Sequence, residues 1–254
     1  MAKLYSRRIQ IAPVGFEVDR VVIPAKKEKA EKVYLLVHKN ITEENYSVHK
    51  KYYTEIQKKL EAARIETELV YCDWQNIEEI TRTTRDLILK EAGSEIAINL
   101  ASGSKNHAIG LDRACMTLRK RDNIHPFYPE AKKWRAVKYP QQQSEGVKQI
   151  KQVPIHRIIV PEPELILALQ TIKQNCVDIP MHKGKKGVKK KNLAKLLYGN
   201  SEKPSLTKLQ RNITQKLENT WRAVETIPVG QSDWISLNSE GRYLRYILKN
   251  EETY

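Results

Sequence analysis

Cysteine is scarce in this sequence of 254 residues, which contains three. Cys72, Cys115 and Cys176 lie far apart and form no Cys-x-x-Cys pair. A disulfide framework uses an even set of cysteines, and a zinc cluster uses closely spaced pairs. We therefore expect three reduced, structural thiols, and we assign no metal-binding residue and no cofactor.

A long apolar run is also missing. The first ten residues, MAKLYSRRIQ, lack the uninterrupted apolar stretch of a signal peptide. A membrane-spanning helix needs about 18 consecutive apolar residues, and no such run occurs in the sequence. The sequence therefore predicts a cytoplasmic protein with no membrane segment.

Acidic residues are too few to balance the basic ones. The chain has 45 Lys and Arg residues against 30 Asp and Glu residues, which makes a formal net charge of +15 at pH 7. Because long-range attraction follows net charge, this excess favours a polyanionic partner, either nucleic acid or an anionic membrane surface. We expect nucleic acid rather than a membrane.

Strands and helices alternate in the first 128 residues. Each predicted strand is a short apolar run, and each predicted helix repeats apolar residues at three- and four-residue intervals. Such units, joined by crossover helices, imply a mostly parallel sheet with helices on both faces, so the predicted fold class is α/β and Rossmann-like. The predicted strands are residues 8–14, 32–38, 67–71 and 95–100, and the predicted helices are about residues 43–64, 77–92 and 107–119.

The second half of the chain is punctuated differently. A polar, turn-forming stretch at residues 140–146 breaks the periodicity, and Ser205 is a good N-cap for a helix that ends at Thr220. The predicted order is helix (164–176), helix (192–198), turn (200–204), helix (205–220), strand-turn-strand (224–237) and helix (239–249). This order resembles the winged helix-turn-helix family. We therefore predict a ligand-sensing and dimerisation domain at 1–145, a linker at 146–163 and a DNA-binding domain at 164–254.

The winged-helix resemblance implies that the helix 205–220 enters the major groove of double-stranded DNA. A basic, glycine-punctuated loop at Lys183–Lys191 is a second candidate for phosphate contacts, because each such contact releases counterions. The alternatives are an ordinary solvated helix face and a solvated linker. The predicted DNA contacts are Lys189, Lys190, Lys191, Ser205, Lys208, Arg211, Asn212, Gln215 and Lys216.

The stretch Ile98–Asn106 runs from a buried strand through small residues into a helix. Small residues permit close backbone approach, and the amides at a helix start bind anions. Lys105 adds a positive charge, while Ser102 and Ser104 carry hydroxyls that suit ribose or phosphate oxygens. Neither G-x-x-x-x-G-K-[ST] nor G-x-G-x-x-G is present, so we do not expect ATP hydrolysis or hydride transfer. The alternative is a purely structural strand-to-helix turn.

Asn99-Leu100-Ala101-Ser102-Gly103-Ser104-Lys105 resembles the N-x-[ST]-G-G-T-K signature of CARF domains, the CRISPR-associated Rossmann-fold sensors of cyclic oligoadenylates. Ala101 replaces a hydroxyl residue, Ser102 takes a glycine position, and Ser104 stands for threonine. The segment Pro13–Arg20 is similar to the first-strand loop of archaeal regulators that join a CARF domain to a winged helix. The resemblance implies a homodimer whose sensor loops form one pocket for a symmetric ring, cyclic tetra-adenylate above all.

The resemblance also implies which residues contact the ring, at the carboxyl ends of the first and fourth strands. Phe16 is expected either to stack on adenine or to lie in the core, and Arg20 either to border the ligand or to pair with Glu17. The predicted ligand contacts are Gly15, Phe16, Arg20, Asn99, Ala101, Ser102, Gly103, Ser104, Lys105 and His107.

Three functions fit this sequence. The first is a cyclic-oligoadenylate-responsive transcriptional regulator, in which the ring changes the spacing of two recognition helices. The second is a metal-independent ring nuclease, in which Ser104 and Lys105 stabilise developing charge and His107 acts as general acid or base. The third is a DNA-architectural or RNA-binding protein whose sensor has lost its ligand. We assign no catalytic residue.

Overall fold

The computed structural model describes residues 6–40, 44–118, 123–138, 141–155 and 159–248, with the side chains of 44–46 left aside. The chain forms two compact units, Met1–Ile159 and Val160–Tyr254. Within the described residues, none of the helices combines the length and apolar composition that a membrane crossing demands. Cys72 and Cys115 are buried free thiols, and burial raises the pKa of each to about 12.

The first unit is built on a six-stranded sheet with the order β3-β2-β1-β4-β5-β6. Strands β1 to β5 pair in parallel and β6 pairs antiparallel with β5, so the predicted α/β, Rossmann-like fold is confirmed. The strands are β1 (Arg8–Pro13), β2 (Lys32–His38), β3 (Glu66–Cys72), β4 (Glu95–Asn99), β5 (Ile124–Trp134) and β6 (Ser144–Gln152), and the helices are α1 (Asp19–Lys27), α2 (Glu44–Glu61), α3 (Ile77–Lys90) and α4 (Lys105–Met116).

Both faces of this sheet are covered, which is why its central strands read as continuous apolar runs. Along β2 every residue is buried. Tyr34 and Leu36 pack with α3 and α4 on one face, whereas Leu35 and Val37 pack with α1 and α2 on the other. The two-residue period of the strand thus distributes one sequence run between two cores, each side chain contributing about 1.5–3 kcal/mol by burial.

Two elements of the first unit differ from the sequence prediction. Helix α1 was not predicted, because Pro24 interrupts its apolar pattern. The predicted linker 146–163 is wrong at its start, because Ser144–Gln152 is strand β6, paired with β5 through positions such as Tyr128 and Lys151. An edge strand with one solvated face carries polar residues, and these give it the composition of a linker.

The second unit surrounds a core of leucine and isoleucine from four helices and a four-stranded sheet with the order β7-β8-β10-β9. After α7 the helical course continues through π-helical turns at Leu209–Thr214 and Lys216–Thr220. The elements are α5 (Pro163–Asn175), β7 (Val177–Asp178), β8 (Lys186–Lys189), α6 (Lys190–Tyr198), α7 (Lys203–Lys208), β9 (Val224–Val229), β10 (Ser232–Leu237) and α8 (Ser239–Ile247).

The helix predicted to start at Ser205 begins two residues earlier. Its N-cap is Glu202 and a proline, Pro204, lies in the first turn, where a missing N–H costs nothing. Ser205 is therefore not the N-cap, and its Oγ donates to Asn200 Oδ1 at 2.5 Å. The basic loop predicted at 183–191 likewise contains structure, since β8 and the start of α6 occupy it.

Candidate ligand site and basic surface

The loops after β1 and β4 meet because these strands are neighbours in the sheet. From β1 the chain continues to β2 on one side of β1, and it later returns to β4 on the other side. The carboxyl ends of β1 and β4 therefore form the topological switch point, where open α/β sheets bind ligands. A Cβ at Gly15 would lie 1.4 Å from the carbonyl oxygen of Ser102. The two loops are therefore in direct backbone contact, and only glycine fits at position 15.

Ser102 has a left-handed backbone, with φ of 74°. This is a conformation that glycine favours, and a serine there needs compensation. Its Oγ donates to the carbonyl oxygen of Glu17 at 3.0 Å, and the residue is buried. The Ser102 hydroxyl therefore ties the two loops together and is not directed at a ligand.

Asn99 and Ala101 shape the turn from inside. Asn99 is fully buried, its Nδ2 donates to the carbonyl oxygen of Arg20 at 2.8 Å, and its Oδ1 accepts from the Ala101 amide at 2.9 Å. The Asn99 amide thereby satisfies backbone groups in the loop after β4 and on α1 at once. Both residues support the site and present little surface to a ligand.

Arg20 and Phe16 are also turned inward. Arg20 Nη1 is paired with Glu17 Oε2 at 2.6 Å, and its Nε donates to the carbonyl oxygen of Pro129 at 2.8 Å. Phe16 stacks on His49 with ring centroids 4.5 Å apart. Of the alternatives open in the sequence, the structure has the Glu17 pair for Arg20, whereas Phe16 is partly buried against the core.

The exposed part of the site is Gly103, Ser104 and Lys105. Ser104 is the N-cap of α4, and its amide and Oγ lie 3.1 and 3.0 Å from Nδ1 of His107. A Cβ at Gly103 would lie 2.7 Å from Cβ of Pro13, so the chain passes close to the end of β1 here. An exposed lysine beside the positive end of a helix is an arrangement that binds anions.

Sequence reasoning missed a buried ring cluster beneath this loop. Trp74, which follows β3, lies edge-on to His38, His49 and His107 at centroid distances of 5.5, 4.4 and 5.1 Å. Asn106 Nδ2 donates to the Trp74 carbonyl oxygen at 3.1 Å. The signal in the sequence is that Phe16, Trp74 and His107 each follow a parallel strand, and the carboxyl ends of parallel strands lie at the same end of the sheet.

Two imidazoles of this cluster, those of His49 and His107, are neutral at pH 7. Burial, helped by neighbouring histidines, lowers the pKa of His49 to about 4 and that of His107 to about 3. His107 is fully buried, and its Nδ1 accepts the Ser104 amide, so it is a capping residue and not a solvent-facing acid or base. Among the described residues, no three metal-ligating side chains are grouped so as to hold an ion.

The second unit carries a basic cavity of about 560 Å³, here called the helix–turn cavity. It lies between the helix that starts at Lys203, the start of α6 and the turn that joins β9 to β10. Of its charged residues only Asp233 is acidic, and Lys190 Nζ lies 3.3 Å from its Oδ2. Its lining residues are Lys189, Lys190, Lys191, Lys203, Leu206, Thr207, Gln210, Arg211, Gln215, Gln231, Ser232 and Asp233.

The predicted DNA contacts divide between this cavity and other surfaces. Lys189, Lys190, Lys191, Arg211 and Gln215 line it, and Lys203, Thr207 and Gln210, which also line it, were not among the predicted contacts. Ser205, Lys208, Asn212 and Lys216 are not among the residues that line it. Lys208 Nζ lies over the Tyr198 ring at 4.6 Å and Lys216 donates to Glu162 at 3.2 Å. The lining residues 203, 206, 207, 210 and 211 recur at three- and four-residue intervals, so they share a face that differs from the one carrying 205, 208, 212 and 216.

A family model described as "HFX_2341_N:-like, N-terminal" matches residues 8–134. The uncharacterized protein MJ1513 of Methanocaldococcus jannaschii is 28% identical over 187 residues, which are 65% of this chain and 55% of that protein. The chain thus spans about half the length of this curated relative.

Three solved structures overlap with the chain, each at a TM-score of 0.41. Enterococcus italicus Csm6 bound to cyclic hexa-2'-fluoro-hexa-dAMP is 16% identical and covers 49% of this chain and 33% of its own. A type III CRISPR defence DNA nuclease activated by cyclic oligoadenylate is 11% identical, and the match covers 93% of this chain and 39% of that chain. Can2 from Sulfobacillus thermosulfidooxidans in complex with cyclic tetra-adenylate is 11% identical, and the match covers 92% of this chain and 77% of that chain. The fold assignment rests on this chain's own sheet order and parallel pairing.

Proposed function

The chain belongs over residues 8–134 to the family described as "HFX_2341_N:-like, N-terminal", and from this premise we propose that it is a dimeric DNA-binding regulator controlled by a cyclic oligoadenylate. The observation that carries the proposal is the helix–turn cavity, in which five cations face one carboxylate that is already paired. The ligand is inferred from the loop Asn99–Lys105 and its likeness to the CARF signature.

The DNA-binding part follows from the element order of the second unit. Helices α6 and α7 followed by the β9–β10 hairpin match the element order of a winged helix-turn-helix, a motif in which the second helix enters the major groove and the hairpin lies beside it. Lys189, Lys190 and Lys191 border the same cavity as Arg211 and Gln215. Lysines suit backbone phosphates, while Arg and Gln suit guanine and adenine edges in the major groove.

The sensing part follows from the edge shared by β1 and β4. The buried residues Asn99, Ser102 and Arg20 hold the two loops in one arrangement, and the exposed Ser104 and Lys105 are left for the ligand. A lysine and the α4 amides suit the phosphodiester of an oligonucleotide. A ring with two-fold symmetry between two copies of the chain would meet this loop twice.

Ring cleavage is the alternative at the same loop. His107 caps α4 and is fully buried, so cleavage at this loop would depend on positioning of the ribose hydroxyl and on the charge of Lys105. Lys105 is exposed, in keeping with a binding role for its charge. The fate of the bound ring distinguishes the two activities.

Calorimetry with cyclic tri-, tetra- and hexa-adenylate tests the proposal. One ring should bind per dimer and be recovered intact, and a Ser104→Ala, Lys105→Ala double variant should lose about ten-fold or more in affinity through the lost charged contacts. Lys58→Ala, an exposed lysine on α2, serves as the matched control and should bind normally. Failure of every ring to bind refutes the sensor assignment, and a linearised product converts it to a ring nuclease.

Duplex binding is measured with and without the ring. The regulator proposal expects the ring to change duplex affinity in the wild-type chain and to leave it unchanged in the double variant. Identical duplex binding in both conditions would leave a nucleic-acid-binding protein without a sensor, the third function considered from the sequence.

A further inference from the structure

The unit of residues 160–254 has a second basic cavity, here called the strand-end cavity. Its volume is about 450 Å³, within the range of small-molecule sites. It is bordered by Ser236 and Leu237 at the end of β10, whereas Ser232 and Asp233 at the start of β10 border the helix–turn cavity. The two cavities therefore lie at opposite ends of a six-residue strand.

Positive charge in the strand-end cavity is not compensated. Four cations and one carboxylate line it, and Lys185 Nζ donates to both oxygens of that carboxylate, Glu225, at 2.9 and 3.0 Å. Lys173, Lys186 and Arg242 form no ion pair with a carboxylate that lines the cavity, although Glu240, outside the lining, interacts electrostatically with Arg242. Three positive charges around one concave surface concentrate the field that attracts an anion.

The cavity wall is held in place by side-chain hydrogen bonds to backbone oxygens. Ser236 Oγ donates to the backbone oxygen of Lys186 at 2.7 Å, which fixes β8 against β10. Arg242 Nη1 donates to the backbone oxygen of Leu237 at 2.9 Å, which orients the guanidinium. Ile172 and Leu237 are buried and supply an apolar side to the same space.

We infer that the strand-end cavity binds a small phosphate-bearing anion of mononucleotide size, independently of the ligand and duplex proposed above. Lys173, Lys186 and Arg242 neutralise the phosphate, and the planar guanidinium offers paired donors to two of its oxygens. Leu237, which is 8% exposed, contacts the uncharged part of the molecule, and the fully buried Ile172 supports this apolar wall. Both a free mononucleotide and a phosphodiester of the DNA backbone fit this volume, so the test is designed to distinguish these two ligands.

The test uses the full chain, with inorganic pyrophosphate and AMP as probes in calorimetry at low salt. The cavity variant is Lys186→Gln with Arg242→Gln, and the matched control is Lys191→Gln with Arg211→Gln in the helix–turn cavity. Pyrophosphate affinity should fall about ten-fold or more in the cavity variant and by less than about two-fold in the control. Duplex DNA affinity should show the reverse pattern.

Two further measurements keep the result interpretable. The thermal unfolding curve of each variant verifies that it is folded, and Lys186→Arg, which keeps the charge, should bind pyrophosphate as the wild-type chain does. Absence of pyrophosphate binding to the wild-type chain, or an equal loss in both double variants, overturns the inference. A loss of duplex affinity in the cavity variant as large as in the control also overturns it, because the cations then belong to the path of the DNA backbone.

Discussion

Acidification destabilises the first unit through two buried histidines. His49 and His107 are 8% and 0% exposed, and Nδ1 of His49 and Nε2 of His107 have no hydrogen-bond partner among the described residues. Burial lowers the pKa of His49 to about 4 and of His107 to about 3, with further lowering by the neighbouring His38. Both are neutral in the folded protein above these values and take up protons near pH 6.5 once the chain unfolds.

The unfolded chain therefore binds more protons than the folded one below pH 6.5, and stability falls as the pH falls. Each histidine removes about 1.4 kcal/mol per pH unit until its folded pKa is reached. Between pH 6.5 and about 4.5, before most carboxylates titrate, the pair removes about 5 kcal/mol. That loss is comparable to the whole stability of a domain, about 5–15 kcal/mol.

Urea unfolding followed by circular dichroism at pH 7.0, 6.0, 5.5 and 5.0 measures this loss. His49→Phe removes one of the two titrating groups while it keeps a ring against Phe16, and it should halve the slope of unfolding free energy against pH. His125→Phe, which removes a half-exposed imidazole outside the ring cluster, is the control and should not halve the slope. A first unit whose stability does not change between pH 6.5 and 5, or a His49→Phe variant with the wild-type slope, would refute the reasoning.

Three further predictions concern the loops and the basic surface. Gly15→Ala places a Cβ 1.4 Å from a backbone oxygen, so the loops must separate and ring binding in calorimetry should fall at least about ten-fold. Arg20→Met strands the carboxylate of Glu17 and should cost about 3–5 kcal/mol in urea unfolding, whereas replacing both residues by Met should restore much of the loss. Lys203→Ala should reduce the salt slope of duplex binding by about one, and Lys208→Ala, outside the helix–turn cavity, should not. These expectations would be contradicted if Gly15→Ala bound the ring with normal affinity, or if the two lysine variants changed the salt slope equally. They would also be contradicted if the losses of unfolding free energy from replacing Arg20 and Glu17 were additive.

Local sequence signals located the main parts of the molecule. Strand β2 is apolar throughout because both its faces are covered, and such a run is recognisable in isolation. The small and hydroxyl residues after β4 indicated a turn into a helix, although the helix was predicted to start at about residue 107 and α4 begins at Lys105. Strand β6 was not recognised, because an edge strand with one solvated face resembles a linker in composition.

The directions of the side chains were not available from the sequence. Arg20 donates to Pro129, 109 positions further along the chain, and no local pattern reports such a partner. Lys203 and Lys208 are both lysines on the same helix, yet the first lines the helix–turn cavity and the second lies over the Tyr198 ring. Which face of the helix borders a cavity is set by the neighbouring elements. The π-helical turns that follow α7 contain more residues per turn than an α-helix, so they change which residues share a face.

The sequence by itself determined the α/β class of the first unit and singled out two stretches, 98–106 and 205–220, as candidate sites, because periodicity and turn composition are local properties. Only the tertiary structure decided which of those residues are available. Asn99, Ser102 and His107 are buried and form hydrogen bonds within the fold, whereas Ser104 and Lys105 are exposed. The physical reason is that a polar group inside a fold must find a partner, and that partner is supplied by segments distant in sequence.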